Sequence, residues 1–162
     1  MNPLTADAIR KSFVNCSKGD AQRAGLPDLD QTPWTELDFL GWRDPSGSQR
    51  AYLVLERDGV PLGLLLRQSS GFGAARATMC QLCMTSHSGS AVALTVARKS
   101  GAAGKKGDST GVYVCRDLAC SLYVRGRKVP RAASLRETLT PEAMIERLRA
   151  NLDQFVDRVL AS

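Results

Sequence analysis

The chain contains one histidine, His87. It also has no G-x-S-x-G elbow and no paired carboxylates in a recognisable cleft motif. Hydrolytic nucleophile–base constellations therefore have little to be assembled from. Long hydrophobic runs are missing as well. The longest, such as Val60–Leu66, fall far short of the roughly 20 residues a membrane-spanning helix needs. The opening "MNPLTADAIRKSF" carries charges where a signal peptide has its apolar centre, so a cytoplasmic protein is expected, with no membrane partner and no small-molecule substrate. Aromatic residues make up only 6%, and they form no compact platform of the kind that stacks exposed bases. No internal repeat or low-complexity tract is present.

What remains is 162 residues, 43% hydrophobic and 23% charged, the composition of a soluble globular chain with a core of ordinary size. The net charge is +6, and its placement is uneven. Arg98, Lys99, Lys105, Lys106, Arg116, Arg125, Arg127, Lys128 and Arg131 face only Asp108 and Asp117, while the rest of the chain carries 13 bases and 14 acids. All the excess positive charge sits between 98 and 131. Such a field favours an anionic partner, either RNA or an acidic protein face.

The first fifty residues read as an irregular N-terminal arm packed on the core. Thr5 caps a short helix in "TADAIRKSFV", with Ile9 and Phe13 one turn apart. One further helical turn is expected in the Gly-, Pro- and Asp-broken stretch that follows. Trp34, Phe39 and Trp42 are expected to anchor the arm. In "RAYLVLERDGVPLGLLLRQ" two apolar runs flank Asp58-Gly59, the signature of a tight hairpin, with Pro61 placing the second strand's start at an edge or bulge. "SAVALTVARKS" and "TGVYVC" predict a second hairpin, joined by "GAAGKKGDS", which reads as an exposed, mobile connection. That connection does not match G-x4-G-K-[ST] and is no phosphate-binding loop. At the end of the chain, Thr140 as cap and Pro141 at the first helical position open a helix. Its apolar stripe runs through Ile145, Leu148, Leu152, Phe155, Val156 and Val159.

The cysteines carry the chemistry. Cys80-x2-Cys83 and Cys115-x4-Cys120 are separated by the second hairpin, and "SLYVRG" after Cys120 predicts a short helix. Zinc takes four thiolates in a tetrahedron, and C-x-x-C turns present two of them. Knuckle, hairpin, then a helix whose start carries the last ligands is a treble clef. A thioredoxin-like redox pair would open a helix after a buried strand. Here the glycine-rich "SSGFGAARAT" precedes Cys80, and two further cysteines would be left unexplained. One structural Zn2+ held by Cys80, Cys83, Cys115 and Cys120 is expected, closed and therefore not catalytic. His87 is a possible substitute ligand, and Cys16 reads as a free, half-buried thiol.

"RAYLVLERDGVPLGLLLR", "TMCQLCMTSH" and "TGVYVCRDLACSLYVRG" together resemble the treble-clef zinc-finger domain of FusB-type elongation factor G-binding proteins, from about Tyr52 to the terminal helix. The resemblance implies an α+β fold, with antiparallel hairpins around a four-cysteine treble clef and a long C-terminal helix, spanning 51–162 behind the arm at 1–50. It also implies a non-enzymatic translation factor that binds elongation factor G and modulates its release from the ribosome, relieving fusidic acid inhibition. The family's N-terminal helical domain has no counterpart in the fifty residues before Tyr52. Partner contacts are expected from Lys105, Lys106, Tyr113, Arg116, Tyr123, Arg125, Arg127 and Lys128. The same basic segment leaves open an RNA-binding zinc finger that contacts ribosomal or messenger RNA.

Overall fold

The structure, a computed structural model, describes residues 1–70, 78–130 and 137–161. The glycine-rich stretch at 71–77 and Arg131 of the basic segment lie outside the described residues. Strands β1 (Phe39–Arg43), β2 (Arg50–Arg57), β3 (Val60–Gln68), β6 (Val92–Arg98) and β7 (Ser109–Cys115) form one antiparallel sheet in the order β1-β2-β3-β6-β7. Strands β4 (Thr78–Met79) and β5 (Ser86–His87) pair separately. The helices are α1 (Ala6–Ser12), α2 (Lys18–Gln22), α3 (Gly101–Lys105), α4 (Cys120–Val124) and α5 (Pro141–Leu160).

The β2–β3 hairpin turns at Asp58 (φ 53°) and Gly59 (φ 75°), the pair of positive backbone angles that a two-residue turn joining twisted strands requires. Strand β2 is buried on both faces, which is why "AYLVL" is continuously apolar rather than alternating. Ala51, Leu53 and Leu55 point into a core shared with Leu64, Leu66, Val112, Val114, the four zinc-motif cysteines and the stripe of α5. Tyr52 and Val54 point the other way, onto Ile9, Trp34, Leu37, Leu40 and Trp42 of the arm. Burying one such Leu or Val contributes about 1.5–3 kcal/mol, so β2 is the spine of the molecule. Pro61 is accommodated because β3 pairs with β6 only at Leu66–Gln68, leaving the Pro61 end of that edge without a strand neighbour.

The arm is more ordered than its composition indicates. Thr5 Oγ1 accepts a hydrogen bond from the Ala8 N–H at 3.1 Å, and Ser17 Oγ caps α2 through the Asp20 N–H at 3.0 Å. The anchoring tryptophans satisfy their indole N–H groups on carbonyls, Trp34 on Leu29 at 3.1 Å and Trp42 on Gly25 at 2.7 Å. Residues 39–43, read from sequence as irregular, pair in register with β2. Their alternation is broken by Gly41, whose missing side chain lets Leu118 pack onto the strand: a Cβ there would lie 2.6 Å from Leu118 Cβ.

A second expectation is overturned between β6 and β7. The glycine-rich connection is not a loose loop but the helix α3, with Ala103 and Gly104 buried. The Ser100 N–H donates to the Val159 carbonyl of α5 at 2.8 Å, and the Lys99 N–H to Asp108 at 2.9 Å. Gly104 is there because its Cα crosses the Lys99 carbonyl, and any Cβ would overlap that oxygen. We predict that Gly104→Ala lowers stability by about 2 kcal/mol through forced backbone displacement. That is roughly 5 °C in the melting temperature of a chain this size. A melt indistinguishable from wild type would show that the helix can shift without cost.

Candidate metal centre

Cys80 and Cys83 flank a tight knuckle between β4 and β5. The Met84 N–H donates to the Cys80 carbonyl at 2.9 Å, the Cys80 N–H to Thr85 at 3.0 Å, and Met84 takes a left-handed backbone (φ 59°) to close the turn. The Cys83 N–H points at Cys80 Sγ, 3.4 Å away, as expected for a thiolate that needs donors. The knuckle is sewn to the edge of the sheet. Gln81 donates its N–H to the Tyr113 carbonyl at 2.7 Å, and its side-chain oxygen accepts from the Tyr113 N–H at 2.8 Å.

The second pair comes from one continuous strand-to-helix corner. Cys115 ends β7, Leu118 turns the chain in a left-handed conformation (φ 56°), and Cys120 opens α4. The looser x4 spacing is the length of that corner. Leu118 is 2% exposed and fills the gap over Gly41, so β1 of the arm presses on the loop between the two ligands.

The four Sγ atoms lie within 4.8 Å of one another, with Cys83–Cys115 at 3.5 Å and Cys80–Cys120 at 3.7 Å. A tetrahedron with Zn–S bonds of about 2.3 Å has edges of about 3.8 Å, so the cage is the right size. All five cysteines are free, and these four are at most 1% exposed. Their electrostatics also call for a cation. Hydrogen bonds from the Cys115, Cys120 and Cys83 thiols hold Cys80 well below its ordinary thiol value. Cys120, bonded to Cys115, Cys80 and Cys83 and fully buried, is pushed well above it. Four sulfurs packed this closely cannot all carry charge unless a cation sits between them, and a divalent ion meets that need. The site takes one structural zinc ion, which the four thiols would hold as thiolates with no position left for water.

His87 stands outside the four-sulfur cage but touches it. Its Nε2 is 3.2 Å from Cys115 Sγ, and its ring packs edge-on to Tyr123 at 4.8 Å. Burial lowers its basicity, and a proton carried on Nε2 would be donated to the sulfur. Outer donors of this kind orient ligands and temper their charge. The sequence ranked His87 behind the four cysteines as a substitute ligand, and the structure places it beside the cage rather than in it.

The basic residues separate into two groups. Arg125 is largely buried and grips Asp38 through two nitrogens at 2.6 and 3.2 Å. Arg116 donates to the Ser90 and Ser69 carbonyls. Tyr123 and Lys128 both bond Asp117, at 2.8 and 2.7 Å. These four residues hold the zinc corner together. Arg127 pairs with Glu36 while remaining 65% exposed. Lys105 at the end of α3, Lys106 just after it and Tyr113 on β7 are exposed to solvent. Asp38 was not legible as a site residue: a lone aspartate before a strand carries no local signal for a pairing 87 residues away.

Comparison with known proteins agrees with this geometry. A family model described as the FBP C-terminal treble-clef zinc-finger matches residues 8–159, beginning well before Tyr52 and taking in most of the arm. Among solved structures, the chain is similar to the fusidic acid resistance protein FusC, with a TM-score of 0.62 at 18% identity. That likeness covers 97% of this chain and 59% of the FusC chain, and at such identity it shows the fold. No curated protein matches in sequence. Among the described residues no helix is long and apolar enough to cross a membrane. With the zinc knuckle, the hairpin and the ligand-bearing helix all in place and the match spanning nearly the whole chain, this protein belongs to the FBP C-terminal treble-clef zinc-finger family.

Proposed function

We propose that the chain is a non-enzymatic binding protein whose partner is elongation factor G or a related ribosome-associated translation factor, and that it modulates the release of that factor. The observation that carries the reading is family membership over residues 8–159, which joins the FusB-type resemblance of the cysteine-bearing segments. The similarity to a fusidic acid resistance protein points in the same direction. Cys80, Cys83, Cys115 and Cys120 serve as the four ligands, and a zinc saturated by thiolates stabilises the fold without offering a catalytic position. Lys105 and Lys106 at the end of α3 and Tyr113 on β7 are exposed, and Arg127 stays 65% exposed while paired with Glu36; these residues are the ones left to meet a partner. Exposed lysines on a short helix contribute chiefly to encounter rate, and an exposed tyrosine contributes contact area.

Titrating the zinc-loaded protein against purified elongation factor G tests this. Saturable binding is expected, with Lys105→Glu plus Lys106→Glu weakening it at least tenfold while zinc content and melting temperature stay unchanged. A pull-down from nuclease-treated lysate supplies the control. If the factor is retained only when RNA is present, the alternative of an RNA-binding zinc finger takes over. If purified elongation factor G shows no saturable binding, the partner assignment is wrong.

A further inference from the structure

Away from the metal centre, the arm and the outer face of the sheet enclose a groove of about 530 Å³. Its floor is Leu65 on β3 and Val96 on β6, one wall is the arm from Asn15 to Asp20, and Arg50, Arg67 and Arg98 line it. We propose that this groove is a binding site for a phosphate-bearing ligand of about nucleotide size.

The first argument is electrostatic. Arg50 and Arg67 are direct cross-strand partners on β2 and β3, and like charges placed opposite one another destabilise a sheet. Arg67 is in turn opposite Val96, two residues from Arg98 on the same face of β6, so three arginines line one side of the sheet at the groove. Asp20 meets Arg50 at 3.3 Å but is shared with Arg23 at 3.1 Å. Arg67 and Arg98 have no ion-pair partner among the described residues, and the stretches outside the description contain no Asp or Glu. An arrangement that repels itself when empty is relieved by an anion placed between the arginines.

The second argument is rigidity. Asn15 is 8% exposed and spends its whole side chain holding the wall. Its Nδ2 donates to the Leu65 and Arg98 carbonyls at 3.0 and 2.9 Å, and its Oδ1 accepts from the Leu65 N–H at 2.8 Å. The clip sits just where β3 and β6 cease to pair, keeping the groove open in the folded chain. A preformed cleft loses less entropy when a ligand is ordered in it.

The chemistry of the lining selects phosphate over carboxylate. Arg67 and Arg98 supply two uncompensated positive charges, matching a phosphate dianion. Arginine forks from adjacent strands, with the Ser109 hydroxyl beside them, approach from several directions. A tetrahedral group with three free oxygens uses such donors better than a planar carboxylate does. The volume exceeds that of a bare anion, and Leu65 with Val96 provides an apolar floor for whatever carries the phosphate. A free nucleotide and the end of an RNA chain share this chemistry.

The test is thermal denaturation of the zinc-loaded protein with inorganic pyrophosphate, AMP or a short single-stranded RNA, each against sodium chloride at matched ionic strength. At ten times its dissociation constant, AMP is expected to raise the melting temperature by about 4 °C. Arg67→Gln and Arg98→Gln should each weaken AMP binding about tenfold. Lys11→Gln on α1, which removes the same charge elsewhere, should not. The ligand-free Arg67→Gln protein should melt no lower than wild type, because its cross-strand repulsion is gone. RNA binding at least tenfold tighter than AMP identifies the polymer as the source of the phosphate, and the reverse order identifies a free nucleotide. The proposal is overturned if no probe gives a saturable shift, or if the arginine variants lose no more than Lys11→Gln. It also falls if a glutamate-rich peptide binds in an Arg67-dependent way while pyrophosphate and AMP do not.

Discussion

Replacing Cys80 by serine is expected to abolish zinc binding and, with it, the cooperative unfolding transition of the chain. Structural zinc in small four-ligand sites contributes about 10–16 kcal/mol to folding, while a whole domain is typically stable by only about 5–15 kcal/mol. The ligand sulfurs are also core atoms here. Cys80, Cys83, Cys115 and Cys120 belong to the same buried cluster as Leu53, Leu64, Val114, Leu148 and Phe155. Losing the ion therefore leaves thiols that cannot all ionise in the middle of the packing, and it frees both the knuckle and the β7–α4 corner. Elemental analysis should fall from one zinc per chain to none, and circular dichroism should show a broad, low melt. Because ligation requires thiolates, acidification should release zinc from the wild-type protein and reproduce the same broad melt. A zinc-free variant that still melts sharply at the wild-type temperature would show the metal to be dispensable.

Asp38→Ala is expected to cost about 3–5 kcal/mol, or roughly 10 °C in melting temperature, without touching a zinc ligand. Asp38 has a side chain only 1% exposed and is held by Arg125, itself 16% exposed, at 2.6 Å. Its own N–H donates to Ser121 Oγ at 3.0 Å. Arg149 of α5 adds a contact at 2.8 Å, but at 61% exposure that arm contributes little. Removing the carboxylate strands the Arg125 charge at the junction of the arm, α4 and α5. Burial alone pushes the Asp38 carboxyl up, but hydrogen bonds from Arg125 and Arg149, joined by their charges, hold it below its ordinary value of 3.8. A carboxyl depressed in the folded state stabilises the protein fully above its unfolded value and loses that contribution as pH falls through the folded one. The wild-type protein should therefore lose stability below about pH 4 more steeply than Asp38→Ala does. Parallel pH profiles for the two proteins would show that the triad adds nothing.

The same triad revises the most obvious surface experiment. Arg125 looks from sequence like part of a basic partner-facing strip. Reversing its charge would instead break the Asp38 junction, and a loss of binding could then be a loss of fold. Lys105 and Lys106 are the cleaner probes, since they lie exposed at the end of α3 and form no ion pair among the described residues.

Much of the scaffold is legible because its signals are local. Asp58-Gly59 encodes its own turn, Thr140-Pro141 its own helix start, and the stripe from Leu148 to Val159 its own buried face; each appears where spacing places it. The two cysteine pairs are legible for the same reason, since ligand spacing within a pair is set by a few bonds of local backbone. The elements that escaped are those whose stability comes from elsewhere. Strand β1 contains a glycine and follows an irregular arm, so its own propensity is weak. It is a strand because β2 offers an open edge and Leu118 packs onto Gly41. Helix α3 is two-fifths glycine, and it forms because the Lys99 carbonyl and the end of α5 define the space it occupies.

By itself the sequence determined that two thiol pairs flank a hairpin, that a capped amphipathic helix closes the chain, and that positive charge gathers between 98 and 131. Only the tertiary structure decided which of those charges are internal struts and which face solvent, that Asp38 locks the arm to the zinc corner, and that Arg50, Arg67 and Arg98 meet in one groove. The reason is range. Turns, caps and ligand spacings are settled within a few residues, where covalent geometry limits the options. An ion pair or a charged cleft depends on strands brought together from distant parts of the chain, and nothing in the neighbourhood of a single arginine records which one it will meet.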